Sequence, residues 1–128
     1  TGWRDDEPLP LVALEAPCLL RTVAPETLDR AGLSWRMAFA SPSLGGIWAA
    51  VAAGLGLTIR TDIGLPASVR ALAAGALGLP ALPKLALHLH RKDAELEPVA
   101  ARLGEILLQS ASGSLPDTAQ AYPLGDAA

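Results

Sequence analysis

The stretch at residues 41–60, SPSLGGIWAAVAAGLGLTIR, restricts the possible folds more than any other part of the chain. Ile47, Trp48, Val51 and Leu55, with alanines between them, leave no polar face, so a helix here has to sit inside a protein. Gly54 stands where a left-handed residue closes such a helix, a conformation that glycine adopts without the steric penalty of a Cβ. Leu57, Thr58 and Ile59 then have the continuous apolar character of a strand covered on both faces, as in parallel sheets. An interior helix feeding a covered strand is half of an α/β layer, and it points to a ligand crevice rather than to a catalytic centre.

A length of 128 residues allows one domain at most, with a moderate core. Hydrophobic residues make up 51% and aromatic residues only 4%, so packing has to rely on small aliphatic side chains. No apolar run reaches the roughly 18 residues of a membrane span; residues 44–59 come closest, but glycines and Thr58 interrupt them. No basic flank and apolar run of a signal peptide follows Trp3. The net charge of −3 is dispersed, and no basic patch interleaved with aromatics argues for nucleic-acid binding by this segment. Cys18 is the single cysteine, which excludes an internal disulfide and a cysteine-based zinc site and fits a reducing cytoplasm.

Residues 1–10 are charged and proline-bearing and read as an extended lead-in, followed by a short strand at 11–14. A turn at Ala16-Pro17-Cys18 leads into a helix that ends near Ala31, before Gly32. Its start is open: Pro25 suits the first turn of a helix beginning near Ala24, but within a longer helix it costs about 3 kcal/mol. A second strand at 35–40 precedes the apolar helix, and 57–60 is the third strand. Residues 64–83 read as a loop draped over the domain, with at most a short strand at 69–72. Residues 84–90 alternate and predict a fourth strand. Helical spacing of Leu96, Val99, Ala100, Leu103, Ile106 and Leu107 predicts a helix at 93–109, with Asp93 as its N-cap. Residues 110–128 read as a disordered tail.

Alternating strands and helices imply right-handed crossovers and a mostly parallel sheet. In such a sheet ligands bind outside the carboxyl ends of the strands. Two loops lie there, one containing Pro17, Cys18, Leu19, Leu20 and Arg21, the other containing Ser41, Pro42, Ser43, Leu44, Gly45 and Gly46. Each runs into a helix whose first N–H groups are unpaired and favour a carboxylate or similar anion. Ser41 and Ser43 add hydroxyls, and Gly45 and Gly46 let a ligand approach the backbone. Taken alone, Ser43 reads most simply as a helix cap, Arg21 as a solvated helix arginine and Cys18 as an inert core thiol. His88 and His90 share a strand face, but no third metal ligand accompanies them, so no metal site is assigned. Gly54-Leu55-Gly56 ends a helix instead of opening one and is no dinucleotide fingerprint; Gly45-Gly46 lacks the lysine of a phosphate-binding loop. No Ser-His-Asp arrangement or carboxylate pair is evident, and the chain reads as a non-enzyme without a cofactor.

Four pieces in order carry a resemblance: LPLVALEAPCLLR, LDRAGLSWRMAFASPSL, AAVAAGLGLTIRT and GLPALPKLALHLHRKD. From Leu9 to about Leu108 the chain resembles the later half of the effector-binding domain of LysR-type transcriptional regulators. The third piece is the most specific, since the family commonly shows V-A-A-G-x-G-[IL] running into a strand. The resemblance implies an α/β fold, a Rossmann-like lobe of a type 2 periplasmic-binding-protein-like domain, with a mostly parallel sheet flanked by helices. Residues 1–83 would be most of the second lobe, and 84–109 the strand and helix returning to the first. The rest of the first lobe and the winged helix-turn-helix would lie outside these residues.

On this resemblance a small organic effector, anionic in character, binds in the cleft between lobes. The family's effector loop falls on Pro17, Cys18, Leu19 and Leu20, followed by Arg21, and its serine-bearing turn falls on Ser41, Pro42 and Ser43. Thr58 and Arg60, on the strand leading back, are weaker candidates, because Arg60-Thr61-Asp62 stands where many relatives have a proline-bearing turn. The implied partners are the effector, promoter DNA through the helix-turn-helix alone, and further copies in a dimer or tetramer, in the cytoplasm and away from any membrane. A transporter's solute-binding protein of the same fold is the alternative. A third reading is a free-standing module that pairs its exposed half-sheet with another chain.

Overall fold

A computed structural model describes residues 3–4, 6–73, 75–92 and 97–114. The chain divides into two compact units, Thr1–Leu85 and Ala86–Ala128. The first contains β1 (Leu9–Leu14), α1 (Leu19–Arg30), β2 (Trp35–Ser41) and α2 (Leu44–Ala52), followed by a short 3₁₀ turn at Ala76–Gly78. The second contains α3 (Pro98–Ser114).

β1 and β2 pair in parallel, from Leu9 opposite Trp35 to Leu14 opposite Ser41. Between Leu11 and Val12 the register shifts, because Leu11 faces Met37 and Val12 faces Phe39, which leaves Ala38 as the extra residue of a bulge. On the other side of β1, the Leu57 amide donates to the Pro10 carbonyl at 2.9 Å and the Val12 amide donates to the Leu57 carbonyl at 2.8 Å. This parallel bridge opposite Leu11 is all that forms of the third strand predicted at 57–60. The order across the sheet is therefore β2, β1, Leu57.

β1 is central, and its alternating side chains divide the core in two. Leu9 and Leu11 pack with Ala24 and Leu28 of α1, and around them gather Met37, Leu57, Ile59 and Leu79. Val12 packs on the other face with Ile47 and Ala50 of α2. Ile47 is 0% exposed and Val12 1%, but α2 is not the interior helix expected. Ile47 and Ala50 are its buried residues, while Leu44, Ala49 and Ala52 and the following Leu55 are exposed, since no second layer among the described residues lies over them. Burial of a side chain such as Ile47 or Val12 contributes about 1.5–3 kcal/mol. Leu79 on the α1 cluster ties down the loop that was expected to drape over the domain.

Both helices close with the same device. Gly32 has φ +69° and Gly54 φ +79°, each one residue beyond the last helical turn. The Gly32 amide donates to Asp29 and the Leu33 amide to Leu28; the Gly54 amide donates to Val51 and the Leu55 amide to Ala50. These are paired Schellman bonds, and the sequence Ala-Gly-Leu builds both. Gly56 acts differently. It is buried against β1, where a Cβ would come within 2.9 Å of the Pro10 carbonyl carbon and closer still to its oxygen. In Gly54-Leu55-Gly56 the first glycine therefore serves backbone conformation, and the second serves close approach of chain to strand.

Several expectations are corrected. β1 starts at Leu9, inside the stretch read as a lead-in. The start of α1, left open by the sequence, is Leu19, so Pro25 lies inside the helix and leaves the Arg21 carbonyl without its helical N–H donor. Residues 84–90 form no strand and are exposed; alternation alone makes no ladder without a partner strand. No strand forms at 69–72 either. α3 begins at Pro98, where proline suits a first helical position and would break an interior one. The proposed cap Asp93 lies outside the described residues. α3 also runs through residues 110–114, where a tail was expected, and the Ser112 hydroxyl donates to the Leu108 carbonyl at 2.8 Å. Residues 115–128 lie outside the described residues. Within α3, Val99, Leu103, Ile106 and Leu107 are exposed.

Candidate functional site

β1 and β2 run parallel, and the helices that follow them pack on opposite faces of the sheet. The loops leaving their carboxyl ends therefore diverge, the geometry that opens a crevice in α/β sheets. The two loops are tied at their base, where the Glu15 amide donates to the Ser41 carbonyl at 3.0 Å. The Ala16–Pro17 peptide between β1 and α1 is cis.

One group of candidate residues lines a single pocket in the first unit. Cys18, Leu20 and Arg21 from the start of α1 meet Thr58 and Arg60 there, with Leu14, Met37 and Ile59 completing the wall around a cavity of about 10 Å³, room for about one water. The Arg21 Nη1 donates to the Leu14 carbonyl at 3.1 Å, which fixes the guanidinium at the carboxyl end of β1. That bond uses one of its five donors. Arg21 and Arg60 are half-buried, and among the described residues neither pairs with a carboxylate. Thr58 and Arg60 reach the pocket although residues 58–60 form no ladder.

The start of α1 adds backbone donors. Cys18 has the extended φ and ψ of an N-cap, yet no side chain caps the first turn. Cysteine's weak acceptor does not replace the oxygen that serine or aspartate would supply. The thiol is free and half-buried. Pro17, in the exposed loop, and Leu19, the first residue of α1 and 65% exposed, lie outside the pocket wall.

The second group sits at the start of α2. Ser43 is the N-cap, and its hydroxyl accepts from the Gly46 amide at 3.1 Å. The Ser41 hydroxyl accepts from the Ser43 amide at 3.2 Å, in a residue only 8% exposed. Each oxygen receives a backbone N–H, so each hydroxyl proton is left to donate elsewhere. Pro42 between them is exposed. Gly45 has open space around it, with nothing within 4 Å of an added Cβ. At Gly46 that space is occupied, since a Cβ would collide with the Ser41 hydroxyl.

The role of the Leu14 carbonyl and the pocket positions of Met37 and Ile59 were not foreseen. Alternation along β1 gives which side chains share a face, but it does not tell which neighbouring chain completes the wall. The His88 and His90 rings stand 6.0 Å apart on exposed chain in the second unit. No cluster of three or more metal-ligating side chains occurs among the described residues. No helix among them is long and apolar enough to cross a membrane.

A parallel sheet with helices on both faces and loops diverging at its carboxyl edge defines an α/β ligand-binding architecture. The LysR substrate binding domain model matches residues 2–112, and the chain belongs to that family. Over 89 residues it is 34% identical to the HTH-type transcriptional regulator PecT of Dickeya dadantii (strain 3937), which covers 70% of this chain and 28% of that protein. Over 83 residues it is 36% identical to the HTH-type transcriptional regulator DgdR of Burkholderia cepacia, which covers 65% of this chain and 28% of that protein. The chain thus spans under a third of the length of these curated relatives.

Proposed function

We propose that the chain is the ligand-sensing part of a bacterial LysR-type transcriptional regulator, and that it takes a small organic anion at the carboxyl edge of its parallel strands. The observation that carries this reading is the pair Arg21 and Arg60, half-buried around one pocket with no carboxylate partner, beside an α1 N-terminus that lacks a side-chain cap. Two cations beside a helix N-terminus without a side-chain cap favour negative charge, although the Arg21 amide itself donates to the Cys18 carbonyl. Cys18 and Leu20 supply the wall, Thr58 a hydroxyl, and Ser41 and Ser43 two hydroxyl protons on the neighbouring loop. Pro17, Leu19 and Pro42 shape the rim.

In this reading residues 1–83 are most of the second lobe of an effector domain, and 84–109 return to the first. The effector would close the two lobes and shift the balance between arrangements of a dimer or tetramer, which requires unequal affinity for them. DNA contact belongs to the helix-turn-helix of the intact cytoplasmic regulator, outside these residues.

Titration calorimetry with benzoate and succinate tests the half-site. The 128-residue chain is expected to bind in the millimolar range or more weakly, and a longer chain carrying the first lobe at least tenfold more tightly. Micromolar binding by the short chain would contradict the shared cleft. Unchanged binding by the longer chain after Arg21→Ala and Arg60→Ala would remove the anion assignment.

A further inference from the structure

We propose that Gly46 is a positioning residue for the serine loop: its missing side chain makes the room in which the Ser41 hydroxyl sits, and through Ser41 it sets Ser43. This rests on the effector reading for its purpose, though not for its geometry. α2 opens with two adjacent glycines, an unfavourable choice in a helix unless something requires them. The surroundings of the two differ. Gly45 has nothing within 4 Å of an added Cβ, so its helical position would accept alanine. At Gly46 the same atom would overlap the Ser41 hydroxyl, lie 3.1 Å from the Ser41 Cβ and lie 3.2 Å from the Ser43 hydroxyl.

The Ser41 side chain has little freedom to yield. Ser41 is buried at the end of β2, its carbonyl receives the Glu15 amide, and its hydroxyl oxygen receives the Ser43 amide. Turning that side chain away from Gly46 breaks the bond to Ser43. Ser43 is held from both sides, by its own amide on Ser41 and by its hydroxyl on the Gly46 amide. The three residues therefore form a closed relay in which Gly46 supplies both an N–H and an empty volume. Held this way, the two hydroxyl oxygens are engaged and their protons remain free to donate.

Amide hydrogen exchange on the 128-residue chain tests the relay without any ligand. Gly45→Ala should leave the Ser43 amide as protected as in the parent and melt no lower. Gly46→Ala should lower Ser43 protection by tenfold or more and lower the melting temperature. Adding Ser41→Gly to Gly46→Ala removes the collision, so the melting temperature should recover while Ser43 protection does not. The proposal is overturned if Gly46→Ala keeps parental Ser43 protection, or if the double variant melts no higher than Gly46→Ala alone. The effector reading is tested separately: a longer chain carrying the first lobe that binds neither benzoate nor succinate would remove that reading and leave the exchange and melting results on Gly46 unaffected.

Discussion

α1 and α2 close through the same Ala-Gly-Leu tripeptide with the same pair of backbone bonds, yet their first turns are treated in opposite ways. α2 is capped by Ser43, whose oxygen takes the Gly46 amide, and Ser41 braces the cap from below. α1 opens at Cys18 with no side-chain cap, and its nearest long side chain, Arg21, turns to the Leu14 carbonyl. Helix ends that serve the fold alone tend to have their donors satisfied locally. The α2 turn is thus held by two serine side chains, whereas the α1 turn is closed by the backbone bond from the Arg21 amide to the Cys18 carbonyl. In the proposed function this difference leaves the Arg21 side chain and the uncapped start of α1 to the ligand.

The largest expected effect tests the support. Ile47→Ala removes the fully buried side chain by which α2 grips β1 and should cost about 2–5 kcal/mol in urea unfolding. A loss below about 1 kcal/mol would mean that α2 is not anchored there. Gly56→Ala should follow, at about 1–3 kcal/mol, because its methyl meets the Pro10 carbonyl and the backbone has to move. Gly54→Ala should cost about 1–2 kcal/mol for a different reason, the left-handed conformation, and should leave the bridge between Leu11 and Leu57 intact by amide exchange.

A smaller pair of substitutions addresses the two first turns directly. Ser43→Ala should destabilise the chain by about 1 kcal/mol, whereas Cys18→Ser should stabilise it by about 0.5 kcal/mol by adding the missing cap. Equal signs in thermal melts would break the contrast between the loops. The smallest effect belongs to the exposed Arg30–Glu26 pair, where Glu26→Gln should change stability by about 0.5 kcal/mol or less.

What the sequence disclosed follows from where the determining forces are local. The ends of α1 and α2 were legible because glycine and serine act within a few residues of themselves. β1 was legible because a covered strand needs apolar residues at nearly every position, and β2 because its run is mostly apolar, although at the sheet edge it exposes Arg36 and Phe39. Residues 84–90 misled for the complementary reason: their alternation is that of a strand, but strand formation depends on a partner that the sequence pattern does not supply. Residues 57–60 fall between these cases, making one bridge at Leu57 before leaving the ladder. In the site, Cys18, Leu20, Arg21, Thr58 and Arg60 line one pocket, while Pro17, Leu19, Ser41, Pro42 and Ser43 stay outside its wall. The collision that ties Gly46 to Ser41 depends on side-chain volume across a turn, and no spacing rule encodes it.

The most direct test of the division between the loops is an amide-shift titration of the isotopically labelled chain with benzoate, repeated in Arg21→Ala. The account predicts the largest shifts at Leu19, Leu20 and Arg21, smaller ones at Ser43 to Gly46, and loss of the α1 response in the variant. Shifts confined to the α2 loop, or an α1 response that survives Arg21→Ala, would contradict it.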